Sequence, residues 1–144
     1  LDHLAPSGGY GGGTFKIDGL EGIVTDSTNL AQEVSDIYEA IKAPLDRTPQ
    51  GLMGELETRG QWLARSAEIL ADAQIILDAK RGEIAEAHVG WNIIKHLIEA
   101  KCSDEKRLYI LSDRLNATLV HQIDEIRTLL SFEKASLPMR GRND

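Results

Sequence analysis

From Leu30 onward the apolar residues return at steps of three and four, the period of one face of an α-helix. Leu30, Val34, Ile37, Ile41 and Leu45 carry the first such stripe, which predicts a helix over about 28–43. Asp26, Ser27 or Asn29 can cap its start, Asn29 with Gln32 three residues on as in a capping box, and Pro44 forces its end. Thr48-Pro49 opens the next helix. A threonine oxygen can accept a free first-turn amide, and a proline at the first helical position gives up an amide that has no intrahelical partner. This long helix is expected to run to about Arg81 and to stop at Gly82, because glycine readily takes the left-handed conformation that ends helices. Leu56, Leu63, Leu70 and Leu77 recur every seven residues along it, each preceded at three residues by Met53, Gly60, Ala67 and Gln74, in a coiled-coil-like seam. Ala64, Ala71 and Ala73 flank the seam on one side and Trp62, Ile69 and Ile76 on the other. One partner cannot cover so broad a stripe, so this helix is expected at the centre of an intrachain bundle.

Glu83 to Lys101 reads as a third helical stretch, with Ile84, Ala87, Trp91, Ile94 and Ile98 on one side. Ser103-Asp104-Glu105 then opens a fourth, joining a capping hydroxyl to two carboxylates near the positive end of the helix dipole. Leu108, Leu111, Leu115, Leu119, Ile123, Ile126 and Leu130 form its stripe, and Pro138 is expected to end it before the polar tail Arg140-Gly141-Arg142-Asn143-Asp144. The predicted fold class is all-α: an antiparallel bundle of three to four helices whose long pair, about 50–81 and 104–136, lies antiparallel.

Ahead of the bundle the composition changes. Seven of the thirteen glycines fall within the first twenty-two positions, which excludes a helix there. Phe15-Lys16-Ile17, Asp18-Gly19 and Leu20 read as a short β-hairpin, since Asp-Gly supplies the positive φ angles of a tight two-residue turn. The chain therefore divides into a glycine-rich arm with a short hairpin over 1–25, a helical bundle over 26–137 and a polar tail over 138–144. Tyr10 and Phe15 are the arm's candidates for anchoring on a neighbouring subunit.

Charge narrows the functional classes. With 23 Asp and Glu against 16 Lys and Arg, the formal net charge is -7, so the chain lacks a global field favouring a phosphate backbone. The single cysteine, Cys102, cannot form an internal disulfide or a multi-cysteine zinc site, which favours a reducing, cytoplasmic setting. No run approaches the roughly 18 apolar residues of a membrane span, and no basic segment leads into an apolar signal core, so a soluble protein with no membrane partner is expected.

Motifs for chemistry are weak. The glycine cluster runs into Thr14-Phe15-Lys16 without the Gly-Lys-Ser/Thr of a phosphate loop, and Gly9 and Gly11 lack the rest of a dinucleotide fingerprint. His3, His88, His96 and His121 form neither His-Glu-x-x-His nor the Glu-x-x-His pairs of di-iron bundles, and His96, Glu99 and Cys102 read as a solvated edge, so no metal or cofactor is expected. Ser112, His121 and Asp124 can be drawn as a hydrolase triad, but they fall inside a regular helix whose amides are already bonded. Asn116-Ala117-Thr118 matches a glycosylation tripeptide by letter only. Two polar groupings remain. Lys80 and Arg81, extended by Lys95 and Lys101, form a candidate basic patch for nucleic acid, and Arg114, His121 and Glu125 fall on one side of the last helix as a candidate partner face, with Thr128 beside them.

At Leu77-Asp78-Ala79-Lys80-Arg81, and again at Arg114-Leu115-Asn116-Ala117 and Gln122-Ile123-Asp124-Glu125-Ile126-Arg127, the chain resembles phage-encoded helical proteins and the recombination mediator family of T4-type phages. That resemblance implies a small helical protein that assembles into rings and loads recombinase on single-stranded DNA. It matches Lys80 and Arg81 to the family's DNA-contacting motif and the last helix to its assembly region. The residues themselves favour a non-catalytic, self-associating interaction protein of phage or bacterial type. Trp62, Ile69, Ile76 and Trp91 are its candidates for core or subunit contact, and a single-stranded nucleic-acid-binding mediator is the alternative.

Overall fold

The computed structural model describes residues 27–141, and the arm, its hairpin, Tyr10 and Phe15 lie outside them. Among the described residues there are four helices and no strand: α1 (Ser27–Ile41), α2 (Pro49–Ala87), α3 (Trp91–Lys101) and α4 (Ser103–Gly141). α2 and α4 form a long antiparallel pair. Arg59 meets Gln122, Ser66 meets Asn116 and Lys80 meets Glu105, pairings in which one number rises as the other falls. α1 lies across one side of that pair, antiparallel to α2, with Glu33 against Arg65 and the carbonyl of Ile41 against Gln122. Its buried Leu30, Val34, Ile37 and Ile41 join Ile69, Ala73 and Ile76 of α2 and Leu108, Leu115 and Leu119 of α4 in one apolar cluster.

The connection from α1 to α2 is built as its residues suggest. Thr48 caps α2, its hydroxyl oxygen accepting from the amide of Gly51 at 3.0 Å, with Pro49 in the first helical position. The Asp46 carboxylate accepts from both the amide and the hydroxyl of Thr48, and these bonds hold its pKa below the usual carboxylate value. A Cβ on residue 51 would collide with that carboxylate, so a larger residue there would displace the Asp46 side chain from this arrangement.

Several expected boundaries are corrected. α1 starts at Ser27, so Asn29 lies inside the helix and Gln32 donates to Asp36 in place of a capping box. The helix also ends at Ile41, short of Pro44. α2 does not stop at Gly82 but continues to Ala87, and Glu83 to Ala87 belong to it, leaving α3 to begin at Trp91. A glycine inside a helix costs about 1 kcal/mol, whereas burying Ile84 one half-turn later, in a second cluster with Leu77 and Cys102, returns roughly 1.5–3 kcal/mol. Burial of the isoleucine outweighs the glycine, and the helix carries on. The break comes instead at Gly90, whose φ of 101° is accessible to glycine at no steric cost. α4 does not end at Pro138 but runs to Gly141; the helical φ of proline is compatible with this, although proline gives up one amide bond and crowds the carbonyl four residues back.

The largest departure concerns the seam. Along the first part of α2 the buried seven-residue register is Leu52, Arg59, Ser66 and Ala73, while of the predicted seam Met53, Gly60 and Ala67 are exposed, Gln74, Leu56, Leu63 and Leu70 are half-buried and Leu77 is buried. Two of the buried positions are polar. Arg59 is only 2% exposed; it is ion-paired with Glu55, its Nε donates to Gln122 Oε1 at 2.8 Å, and its guanidinium lies 5.8 Å from the Trp62 ring centroid. Gln122 in turn donates to the Ile41 carbonyl at 3.3 Å, which joins α1, α2 and α4 in one layer. Burial lowers the Arg59 pKa from its usual value, against the field of Glu125. One layer along, Asn116 donates to Ser66 Oγ at 3.0 Å and Ser66 donates to the Leu63 carbonyl, so this buried hydroxyl is satisfied as well.

Gln122→Leu, which removes the acceptor of Arg59 Nε, is expected to lower stability by roughly 1–3 kcal/mol in urea unfolding. Arg59→Met should then cost less in the Gln122→Leu background than in the wild type. Equal costs in both backgrounds would show that the two side chains are not coupled.

Candidate functional site

The two ends of the bundle differ. At the end holding the α1–α2 connection, three helices close over the Arg59 layer. At the other, α3 contributes no fully buried residue and covers Leu77, Ile84 and Cys102 only with the half-buried Ile94, Leu97 and Ile98. His88 sits at the break, its Nδ1 3.0 Å from the Ile84 carbonyl, and the amide of Ile94 donates to the Gly90 carbonyl to start α3. Because Gly90 resets the chain direction, Trp91 does not continue the face of Ile84 and Ile94. It is 72% exposed, with Val89 at 91% and Ile93 at 56% beside it. Glu83 and Glu86 on the α2 side and Lys95 and His96 on the α3 side are also exposed. The corner is thus an apolar knob between flanks of opposite charge.

A second feature lies between α2, α3 and the first half of α4. Here a cleft of about 570 Å³ is lined by Arg81, Lys106, Arg107 and Arg114, with Ile98 and Ile110 among its apolar walls and Glu99 as its carboxylate. Its geometry is held by Lys80, whose Nζ donates to Glu105 at 2.5 Å and ties the end of α2 to the first turn of α4. The hydrogen bond from Lys80 to Glu105 raises the Lys80 pKa, so this contribution to stability is present below the ordinary lysine pKa and fades as pH rises through the higher folded value. Cys102 also borders the cleft. It is buried, and burial followed by the charge of Glu105 pushes its thiol pKa up, which disfavours the nucleophilic thiolate.

The structure separates the residues singled out from the sequence. Ile69 and Ile76 lie in the intrachain core, Trp62 is half-buried against it and Trp91 stands at the exposed corner. Lys80 is engaged by Glu105, Arg81 faces the cleft, and Lys95 and Lys101 are exposed on α3. Arg114, His121 and Glu125 are all exposed, but Arg114 borders the cleft while Glu125 lies 3.7 Å from Arg47 at the opposite end of the bundle. Ser112 is buried and donates to the Leu108 carbonyl at 2.7 Å, whereas His121 and Asp124 are exposed, so these three do not form a triad. Among the described residues no three His, Cys, Asp or Glu side chains are placed to hold a metal ion, and no helix is long and apolar enough to cross a membrane. Missed from the sequence were Val89 and Ile93, hidden by the assumption of a continuous third helix, and Lys106 and Arg107, which read as ordinary helix-surface charge.

One buried carboxylate stands apart. Asp72 is buried on α2 with no hydrogen-bond partner among the described residues, and burial raises its pKa despite the field of Arg65. The folded state holds this proton more tightly than the unfolded chain does. Asp72 therefore costs stability above its folded pKa, and the cost disappears as pH falls through it. Asp72→Asn is accordingly expected to raise Tm at neutral pH, with a gain that shrinks in mild acid. A gain independent of pH would exclude the carboxyl charge as its source. Comparison of the chain with protein-family models, with curated proteins and with solved structures finds no match.

Proposed function

We propose that this protein is a non-catalytic helical assembly module that associates with further copies of itself through the corner formed by Val89, Trp91 and Ile93. The observation that carries the reading is the exposure of these three large apolar side chains within five residues, where the α2–α3 connection enters a helix that gives no fully buried residue to its own core. Burying such side chains contributes roughly 1.5–3 kcal/mol each, and aromatic residues are enriched among the anchors of protein interfaces. A second copy suits the flanking charge: a two-fold contact would set Glu83 and Glu86 of one copy against Lys95 of the other, which offsets part of the repulsion expected between chains of net charge -7. A strand-binding reading that uses Lys80, Arg81, Lys95 and Lys101 as one patch is weaker, since Lys80 is already held by Glu105.

Sedimentation of the full chain should show a mass that rises with concentration. Trp91→Ala combined with Ile93→Ser should reduce that mass while moving the stability of the fold by no more than about 0.5 kcal/mol. Ile69→Ala, by contrast, should cost about 2–5 kcal/mol of stability as a core truncation. A wild-type monomer at all concentrations would end the proposal.

A further inference from the structure

Cations are paired along α1, α2 and the connection between them and at Arg127 of α4, while Lys95 and Lys101 of α3 and Lys134 of α4 make no ion pair among the described residues. Lys42 meets Glu39, Arg47 meets Glu125, Arg59 meets Glu55, Arg65 meets Glu33, Lys80 meets Glu105 and Arg127 meets Asp124. The cleft between α2, α3 and α4 departs from that pattern. Lys106, Arg107 and Arg114 make no ion pair among the described residues, and Arg81 approaches Asp78 only at 3.9 Å. Four cations thus face one lining carboxylate, Glu99, in a chain whose carboxylates outnumber its cations. Like charges gathered in this way repel one another, and a bound anion removes that cost.

The shape of the cleft indicates what kind of anion fits. Arg107 and Arg114 are two helical turns apart, about 10.5 Å along the axis at 1.5 Å per residue, and Arg81 reaches in from α2. The positive charge is therefore spread along a line, which suits a chain of phosphates better than a single anion, and guanidinium forks suit phosphate oxygens. Ile110 lies between the two arginines on α4 and is 37% exposed, so an apolar contact is available beside the charge. The volume is that of a small-molecule pocket rather than of an extended track. Beyond Arg114 the exposed positions of α4 run through Ala117, Val120, His121, Asp124 and Glu125, with no further cation before Arg127, which gives a nucleic-acid strand nothing to follow.

We propose that this cleft binds a small polyphosphate carrying a flat or apolar body, such as a nucleoside triphosphate, with its phosphates on Arg81, Lys106, Arg107 and Arg114 and its body against Ile110. The site is independent of the assembly corner. Titration calorimetry of the full chain at low salt, with ATP, inorganic tripolyphosphate and a single-stranded oligonucleotide as separate probes, tests it. ATP is expected to bind saturably and more tightly than tripolyphosphate, to weaken as salt is added, and to lose about tenfold or more in affinity on Arg107→Gln and on Arg114→Gln. Both side chains are exposed, so both variants should melt with the wild type, and Lys95→Gln, outside the cleft, should leave binding unchanged. No saturable binding at millimolar ATP, an equal loss with Lys95→Gln, tripolyphosphate binding as tightly as ATP, or binding of the oligonucleotide alone would each overturn the proposal.

Discussion

A buried guanidinium holds the register of this bundle. Arg59 sits in a layer where an aliphatic side chain would pack at any small offset, yet its hydrogen bond reaches Gln122 at one position only, and Gln122 reaches the end of α1 from there. Apolar contact is tolerant of sliding and directional bonds are not. A slip of even one residue between α2 and α4 would break the hydrogen bond from Arg59 to Gln122 and leave that buried N–H without its acceptor, with Glu55 of the same helix as the remaining partner of the guanidinium. Ser66 with Asn116 repeats the restriction in the next layer, and Lys80 with Glu105 repeats it near the far end. These three pairs align two helices of 39 residues each, whose apolar stripes alone would permit other offsets.

That alignment places what the surface can do. Where α1 covers the long pair, core side chains come from three helices. Where α1 is absent, the short α3 turns back over the end of α2 without sealing it, and both the apolar corner and the basic cleft lie there. Lys80 and Glu105 belong to the cleft's framework rather than to its surface, because each neutralises the other. The result is a concentration of unpaired positive charge beside a tethered corner, in a molecule that is otherwise acidic.

Legibility followed the chemistry of each buried position. The stripes of α1 and α4 are almost wholly aliphatic, so their spacing predicts most of what is inside: Leu30, Val34, Ile37, Ile41, Leu108, Leu115, Leu119, Ile123 and Ile126 are buried, while Leu45, Leu111 and Leu130 are half-buried. α2 misleads because two positions in its buried register are Arg59 and Ser66. Hydrophobic periodicity passes over both and settles on the leucines one step round the helix. The leucine repeat is real, but in α2 only Leu77 of it is buried, and Leu56, Leu63 and Leu70 form a half-buried shoulder of the seam. Trp91 misleads in another way, since its spacing from Ile94 and Ile98 places it on the inner face only if the helix is unbroken from Glu83.

The order of the elements, the helical class, the Thr48-Pro49 start of α2 and the aliphatic faces of α1 and α4 were determined by the sequence alone, because propensity, capping and periodicity act within a few residues. Whether Gly82 ended a helix, whether an arginine was inside or outside, and which cations were left unpaired were decided only by tertiary structure. Each of those outcomes depends on what a distant segment offers. Ile84 finds a pocket beside Cys102, Arg59 an acceptor sixty-three residues away, and Arg107 and Arg114 make no ion pair among the described residues.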